Sequence, residues 1–447
     1  MKKHTGRNPT GCSRRDFVAV SAVAAAGLAA ASHAIRANAP EGLAASGGSK
    51  TVTFPGPRHS AITRWPRYGP AEKQRLHELI DSNQFYEELP RFEQDWKAYH
   101  NVPFVKSHCN GTSVLTSMFF ALDLPPGSEI MVPSYTFFAT ILPMRFFQYV
   151  PIFIDIDPRT ACFDLEHAAK ELTSRTRAMV PMHSWGLPCD MDRINQFGKD
   201  HGLIVCEDAA HAHGASLQGK KMGAWGEIAI FSLQMSKPLP AIEGGVGMYQ
   251  RREYYERAAA FGHYEDPPKF SADSPYRQYV GTGFGQKYRM HPFAAALARE
   301  QLKGLDARND LVRRQVRQLN DRLTQLPGLT EPFCRPDVQR VYYDRNMLFL
   351  DEAKAGFSRA SLLRAVGAEG VRASSGDYPE QHKYRIYSEG KWWHHAPKVP
   401  QVLKGCAQVN RSCIYLPLFY EEVPELIEQY AKAFEKVWAH RTQVAKL

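Results

Sequence analysis

A chain of 447 residues is long enough for two domains, and its 44% hydrophobic and 23% charged residues have the balance of a globular protein rather than a disordered or fibrous one. The formal charge of +10 invites a nucleic-acid reading, but residues 1–39 hold Lys2, Lys3, Arg7, Arg14, Arg15 and Arg36 against Asp16, six cations less one acid. Without them about half the excess remains, and no Lys/Arg cluster interleaved with aromatics stands out, so a nucleic-acid partner is set aside.

Residues 1–39 have the layout of a cleavable export signal. A basic start precedes a short, alanine-rich apolar stretch from Phe17 to Ala31, and small-residue sites follow at Ser32-His33-Ala34 and Ala37-Asn38-Ala39. The stretch is too short for a comfortable membrane span. Ser13-Arg14-Arg15-Asp16-Phe17-Val18 matches the twin-arginine pattern, which implies export to the periplasm or beyond without a stable membrane anchor. The alternative is a chance Arg-Arg pair before an apolar helix. Eight cysteines, at 12, 109, 162, 189, 206, 334, 406 and 413, become seven after cleavage, with no CxxC and no Cys/His metal spacing.

Residues 40–62, rich in Gly, Ala, Ser and Pro, read as a linker. From Asn110 the pattern alternates: helix 112–122, strand 129–133, helix around 137–148, strand 151–156, helix 164–173, strand 177–183, helix 190–201, strand 203–207, then strands 228–233 and 245–249. Short β-rich runs alternating with amphipathic helices predict an α/β fold with a mostly parallel sheet covered on both faces. A Pro-rich break at 265–275 precedes a predicted helix over 292–325. These elements make a large domain, 63–325, followed by a smaller α/β domain, 326–447, with a helix over 423–440. Gly281-Thr282-Gly283-Phe284-Gly285-Gln286 nearly spells a dinucleotide loop, but Gln286 stands where the last glycine belongs and no strand–helix unit surrounds it.

Four stretches carry chemistry. Cys109-Asn110-Gly111-Thr112-Ser113 opens a helix, either as a plain N-cap or as a phosphate grip built from hydroxyls and free N–H groups. Pro133-Ser134-Tyr135-Thr136-Phe137-Phe138 places rings at a strand's carboxyl end, for the core or for one face of a flat ligand. Leu203–Val205 and Cys206 deliver Glu207 and Asp208 to a strand end, where a carboxylate needs a positive partner. His211 and His213 follow, but no third ligand converges for a metal, and none is expected. In Phe231-Ser232-Leu233-Gln234-Met235-Ser236-Lys237, a lysine where an inner strand ends is either a surface loop residue or an amine nucleophile for an aldehyde. A phosphate, a flat ring, a protonated ring nitrogen and an aldehyde together describe pyridoxal 5′-phosphate (PLP), an electron sink.

With these motifs in this order, from about Arg64 to Arg441, the chain resembles the DegT/DnrJ/EryC1/StrS sugar aminotransferases, fold-type I PLP enzymes. The resemblance implies a mostly parallel seven-stranded sheet in the large domain, and a PLP-dependent transaminase passing an amino group from glutamate or glutamine to a keto-sugar or keto-cyclitol. It implies that Lys237 forms a Schiff base with PLP and that Asp208 pairs with the ring nitrogen. Phe137 stacks on the ring, and Gly111, Thr112, Ser113 and Ser232 hold the phosphate. His211 stands where the family often has Gln, near the ring hydroxyl. Lys287 stands where an Asn usually reaches the neighbouring subunit's phosphate, which implies a homodimer with shared sites. The other reading is a family member with altered chemistry or a binding role. Substrate choice is expected in 263–286 and 374–400, where Trp392-Trp393-His394-His395 is either a sugar-stacking wall or a packed loop.

Overall fold

The structure, a computed structural model, describes residues 42–447. The expected export signal at 1–39 lies outside the described residues. Seven strands form the main sheet: β1 (Phe104–His108), β2 (Glu129–Pro133), β3 (Val150–Ile154), β4 (Thr176–Met179), β5 (Ile204–Asp208), β6 (Ile228–Ser232) and β7 (Gly245–Tyr249), in the order β1-β7-β6-β5-β4-β2-β3. From β6 to β3 every pairing is parallel, and β7 alone runs against both its neighbours. All five residues of β2 and of β7 are buried, as expected of strands covered on both faces. Gly245 opens β7 where the chain passes under the next helix: a Cβ there would fall 2.5 Å from the Asn110 carbonyl oxygen.

That helix, α1 (Gly111–Leu122), is capped by Asn110, whose Oδ1 accepts from the Ser113 N–H at 2.8 Å. Strand and helix positions mostly follow the sequence periodicity; the strand expected over 177–183 is the shorter β4, Thr176–Met179, and two expected helices are divided. The helix expected over 137–148 is a pair of 3₁₀ segments, Phe138–Thr140 and Leu142–Phe147, which meet at Ile141 just before Pro143, a residue without an N–H to donate. The helix expected over 292–325 is two, α2 (Pro292–Lys303) and α3 (Leu305–Leu323), separated by Gly304, the least helix-favouring residue after proline.

The second body is built on a three-stranded antiparallel sheet of β8 (Leu329–Thr330), β9 (Asn346–Leu350) and β10 (Cys413–Leu416), covered by α4 (Pro424–Ala439). The described part of the expected linker belongs to it. Leu43, Val52 and Ile62 pack in one core with Leu348, Leu426 and Phe434, and residues 56–63 are helical. Glu369 holds the segment by accepting from the Ala44 N–H at 2.8 Å and the Thr51 hydroxyl at 2.8 Å. Composition hid this because the three anchoring apolar residues are spaced singly among Gly, Ser and Pro.

Of the two acids that close β5, Glu207 is structural. It is fully buried, and its Oε1 accepts from the Trp225 and Gly226 N–H groups at 2.7 and 2.6 Å while Oε2 accepts from Gly223 N–H at 2.7 Å and His183 Nε2 at 3.0 Å. Three of these four donors belong to the loop before β6 and tie it to the sheet, and the fourth fixes His183, which follows β4. Glu207→Gln turns one acceptor oxygen into an N–H₂ that faces donors. It is expected to lower unfolding free energy by about 3 kcal/mol, read from the urea midpoint of the full chain; an unmoved midpoint contradicts this assignment.

Candidate active site

The C-terminal ends of β5 and β6, the start of α1 and the loop before β9 enclose a cleft of about 550 Å³. The carboxyl ends of parallel strands are where open α/β folds bind ligands. Asp208, the last residue of β5, faces it 3% exposed. Its Oδ2 accepts from the Thr140 hydroxyl at 2.8 Å and its Oδ1 from the Ala210 N–H at 3.1 Å. Among the described residues it has no ion-pair partner, and burial raises its pKa above the ordinary carboxylate value despite both hydrogen bonds and the field of Lys237. A carboxylate oriented by two donors yet left without a countercharge suits a cationic ligand atom.

Lys237 follows β6 in a turn closed by its N–H on the Gln234 carbonyl at 2.8 Å, and its own carbonyl accepts from Trp65 Nε1 at 3.1 Å. Half-buried on the cleft wall, its Nζ donates to the Tyr343 hydroxyl at 3.3 Å and lies 4.4 Å from that ring's centroid. Gly111 and Thr112 line the opposite wall, where first-turn N–H groups without intrahelical acceptors and the positive helix end favour an anion. Ser232 lies beside them. A Cβ on Gly111 would meet the Ser232 Cβ at 2.9 Å, so only glycine lets β6 and α1 approach this closely. Ser113 is not a cleft residue: its hydroxyl donates to the Asn110 carbonyl at 2.7 Å as part of the helix cap, and it is 5% exposed. In the ligand-free chain the Ser113 hydroxyl, expected on the phosphate, is engaged in the cap.

His211 lines the cleft, buried, with its ring stacked on Tyr343 at 4.1 Å. Burial, then the charge of Lys237, hold its pKa well below the usual histidine value, so it is neutral, and its Nδ1 has no partner among the described residues. Its neighbour His213 points elsewhere: Nε2 donates to the Ser232 carbonyl at 2.9 Å and the ring packs on Phe231. Phe137 stands at the mouth, 52% exposed, its ring centroid 4.2 Å from that of Phe138. Lys287 is exposed and does not line the cleft of its own chain, although the Tyr288 carbonyl beside it accepts from the Cys109 N–H at 2.6 Å.

Sequence reasoning missed Thr140, Tyr343 and Tyr378, all on the cleft wall. Thr140 ends a 3₁₀ segment two residues past the aromatic motif and Tyr378 lies in the 374–400 stretch, but neither was singled out there; Tyr343 sits in a loop without periodicity or motif, and only the fold brings the three to β5 and β6. In the Trp392–His395 stretch Trp393 and His395 pack while Trp392 and His394 are exposed. Trp393 is buried against Tyr387, and His395 Nε2 lies 3.0 Å from Glu129 Oε1 at the first residue of β2, the end of that strand away from the cleft.

A lysine and a buried, oriented carboxylate at the strand ends of a mostly parallel seven-stranded sheet define an α/β enzyme of the fold-type I kind. The DegT/DnrJ/EryC1/StrS aminotransferase family model matches residues 66–434. The 3-amino-5-hydroxybenzoate synthase of Amycolatopsis mediterranei is 32% identical over 248 residues, 54% of this chain and 62% of that protein. The L-glutamine:2-deoxy-scyllo-inosose aminotransferase of Streptoalloteichus tenebrarius is 30% identical over 366 residues, 78% of this chain and 84% of that protein. An aminotransferase structure from Psychrobacter cryohalolentis matches the fold with a TM-score of 0.77 at 24% identity, covering 85% of this chain and 99% of that one. The chain belongs to the DegT/DnrJ/EryC1/StrS aminotransferase family, and its chemistry is amino transfer.

The raised pKa of Asp208 fixes a sign. Its stability contribution is fully present below the unfolded carboxylate value, about 4, and is lost as pH rises through the higher folded value. Asp208→Asn removes this titration from the ligand-free chain, so the fall in thermal midpoint as pH rises above about 4 is expected to be shallower in the variant than in the wild type. An identical pH dependence in the two chains contradicts the assignment.

Proposed function

We propose that the protein is a PLP-dependent aminotransferase that moves an amino group from glutamine or glutamate to a keto-sugar or keto-cyclitol. One observation carries the reading: a countercharge-free carboxylate, a lysine amine and a helix N-terminus meet in a single cleft. Aminotransferases of this family depend on PLP, and two features of the chain fit it, the unpartnered Nδ1 of buried His211 and the close Gly111–Ser232 cradle. When bound, PLP supplies an electron-poor ring that draws electrons from an amino acid's α-carbon.

The chain's own groups divide the remaining work. Asp208, held by Thr140 and Ala210, accepts a hydrogen bond from a protonated ring nitrogen and keeps that proton in place. The α1 N-terminus, with the hydroxyls of Thr112 and Ser232, grips a phosphate. Phe137 offers a ring face at the mouth, and neutral His211 offers one ring N–H to a ligand oxygen. Lys237 supplies the amine that carries the proton from the substrate's α-carbon, its flexible stem allowing the reach.

The relative named as L-glutamine:2-deoxy-scyllo-inosose aminotransferase supports glutamine as donor and a keto-cyclitol as acceptor. Exposed Phe137, Phe138, Met235 and Ile242 support a homodimer. In that dimer exposed Lys287 reaches the partner's phosphate as a point charge. Export by the twin-arginine route after cofactor loading completes the reading, resting on Ser13–Val18 alone. The test is the absorbance spectrum of the PLP-loaded protein before and after glutamine or glutamate is added. Loss of the visible band with either donor is expected; a band that persists with both contradicts the donor assignment.

A further inference from the structure

The loop before β9 sends Tyr343 across the cleft to the amine of Lys237, and the chain goes to some length to hold it there. The Tyr343 ring is stacked on His211 at 4.1 Å and parallel to Trp185 at 5.8 Å. Trp185 is fixed in turn: its Nε1 donates to the Tyr135 hydroxyl at 3.3 Å, its ring meets Tyr378 edge-on at 4.9 Å, and the Arg345 guanidinium lies 4.7 Å from its centroid. Its backbone is left-handed, φ 52°, a conformation that disfavours a bulky side chain and persists where packing enforces it.

The hydroxyl's hydrogen-bond roles follow from counting protons. Ser236 Oγ donates its one proton to Gln234 Oε1 at 2.7 Å, so at its 3.0 Å contact with Tyr343 it is the acceptor. The Tyr343 proton therefore points at Ser236, and a lone pair of the Tyr343 oxygen is left for Lys237 Nζ at 3.3 Å, while the ring face lies 4.4 Å from the same nitrogen. A ring face and a hydrogen-bond acceptor on the same side chain together fix where that amine sits.

We propose that Tyr343 is the positioning residue for Lys237, holding its amine against the second body's wall of the cleft whenever that amine is not bonded to the cofactor. This rests on the reading of Lys237 as the cofactor lysine. Without the hold, the four-carbon stem searches many rotamers before each proton transfer, which slows turnover without weakening ligand binding.

The test compares the full chain with Tyr343→Phe, which keeps the ring and its stacking, and Tyr343→Leu, which removes both. In the PLP-loaded proteins the single-turnover rate with glutamine is expected to fall about tenfold in Tyr343→Phe and about a hundredfold in Tyr343→Leu, with KM and PLP affinity within about twofold. In the ligand-free chain at one fixed pH, labelling of Lys237 by trinitrobenzenesulfonate, read by peptide mass spectrometry, is expected to be about fivefold faster in Tyr343→Phe, whose size leaves access unchanged. Wild-type rates and labelling in Tyr343→Phe overturn the proposal. So does a rate loss matched by an equal loss of PLP affinity, which marks a merely structural wall. If PLP fails to shield Lys237 from the label in the wild type, the reading of the site falls and the proposal with it.

Discussion

A buried carboxylate without a countercharge is the constraint around which the site is arranged. Asp208 closes the central strand β5, and the parallel order of the sheet brings the ends of β5 and β6 to one edge, so an acid and a lysine carried by adjacent strands share a cleft. The start of α1 adds a positive pole on the facing wall. The cleft thus has a negative end for a cation, a positive end for an anion, and a primary amine within it. That polarity suits a flat ligand with a protonated nitrogen at one end and a phosphate at the other, as in the cofactor proposed above.

The second body does more than cover the sheet. Its loop before β9 supplies Tyr343, and Tyr378 joins it on the cleft wall. Behind them Trp185, Tyr135, Tyr415 and Arg345 form one packed block, with Arg345 over both Trp185 and Tyr415. Trp65, just beyond the residues 42–63 that dock on the second body's core, touches the site by donating to the Lys237 carbonyl. Lysine, histidine and tyrosine are therefore held from both bodies.

Much of this was legible in the sequence, for identifiable reasons. Continuous apolar runs marked β2, β5 and β6, and a carboxylate or lysine at the end of such a run stood out because burial makes it costly. Asn110 before α1 announced a cap, though not that Ser113 would spend its hydroxyl on that cap. What was hidden depended on tertiary contact. Glu207 and Asp208 are adjacent acids with similar sequence surroundings, and only the fold shows one tied to four donors and the other facing the cleft. Thr140 and Tyr343 lie 68 and 106 residues from the side chains they meet, and nothing local to either marks that pairing. The apolar anchors of residues 42–62 were too sparse for composition to reveal.

The central claim is that Lys237 is the amine that engages the cofactor in the cleft closed by Asp208. Its most direct test is to load the full chain with PLP, trap the adduct by borohydride reduction and map the modified lysine by peptide mass spectrometry. The account predicts modification at Lys237, lost in Lys237→Ala. Modification at another lysine with Lys237 untouched would contradict it.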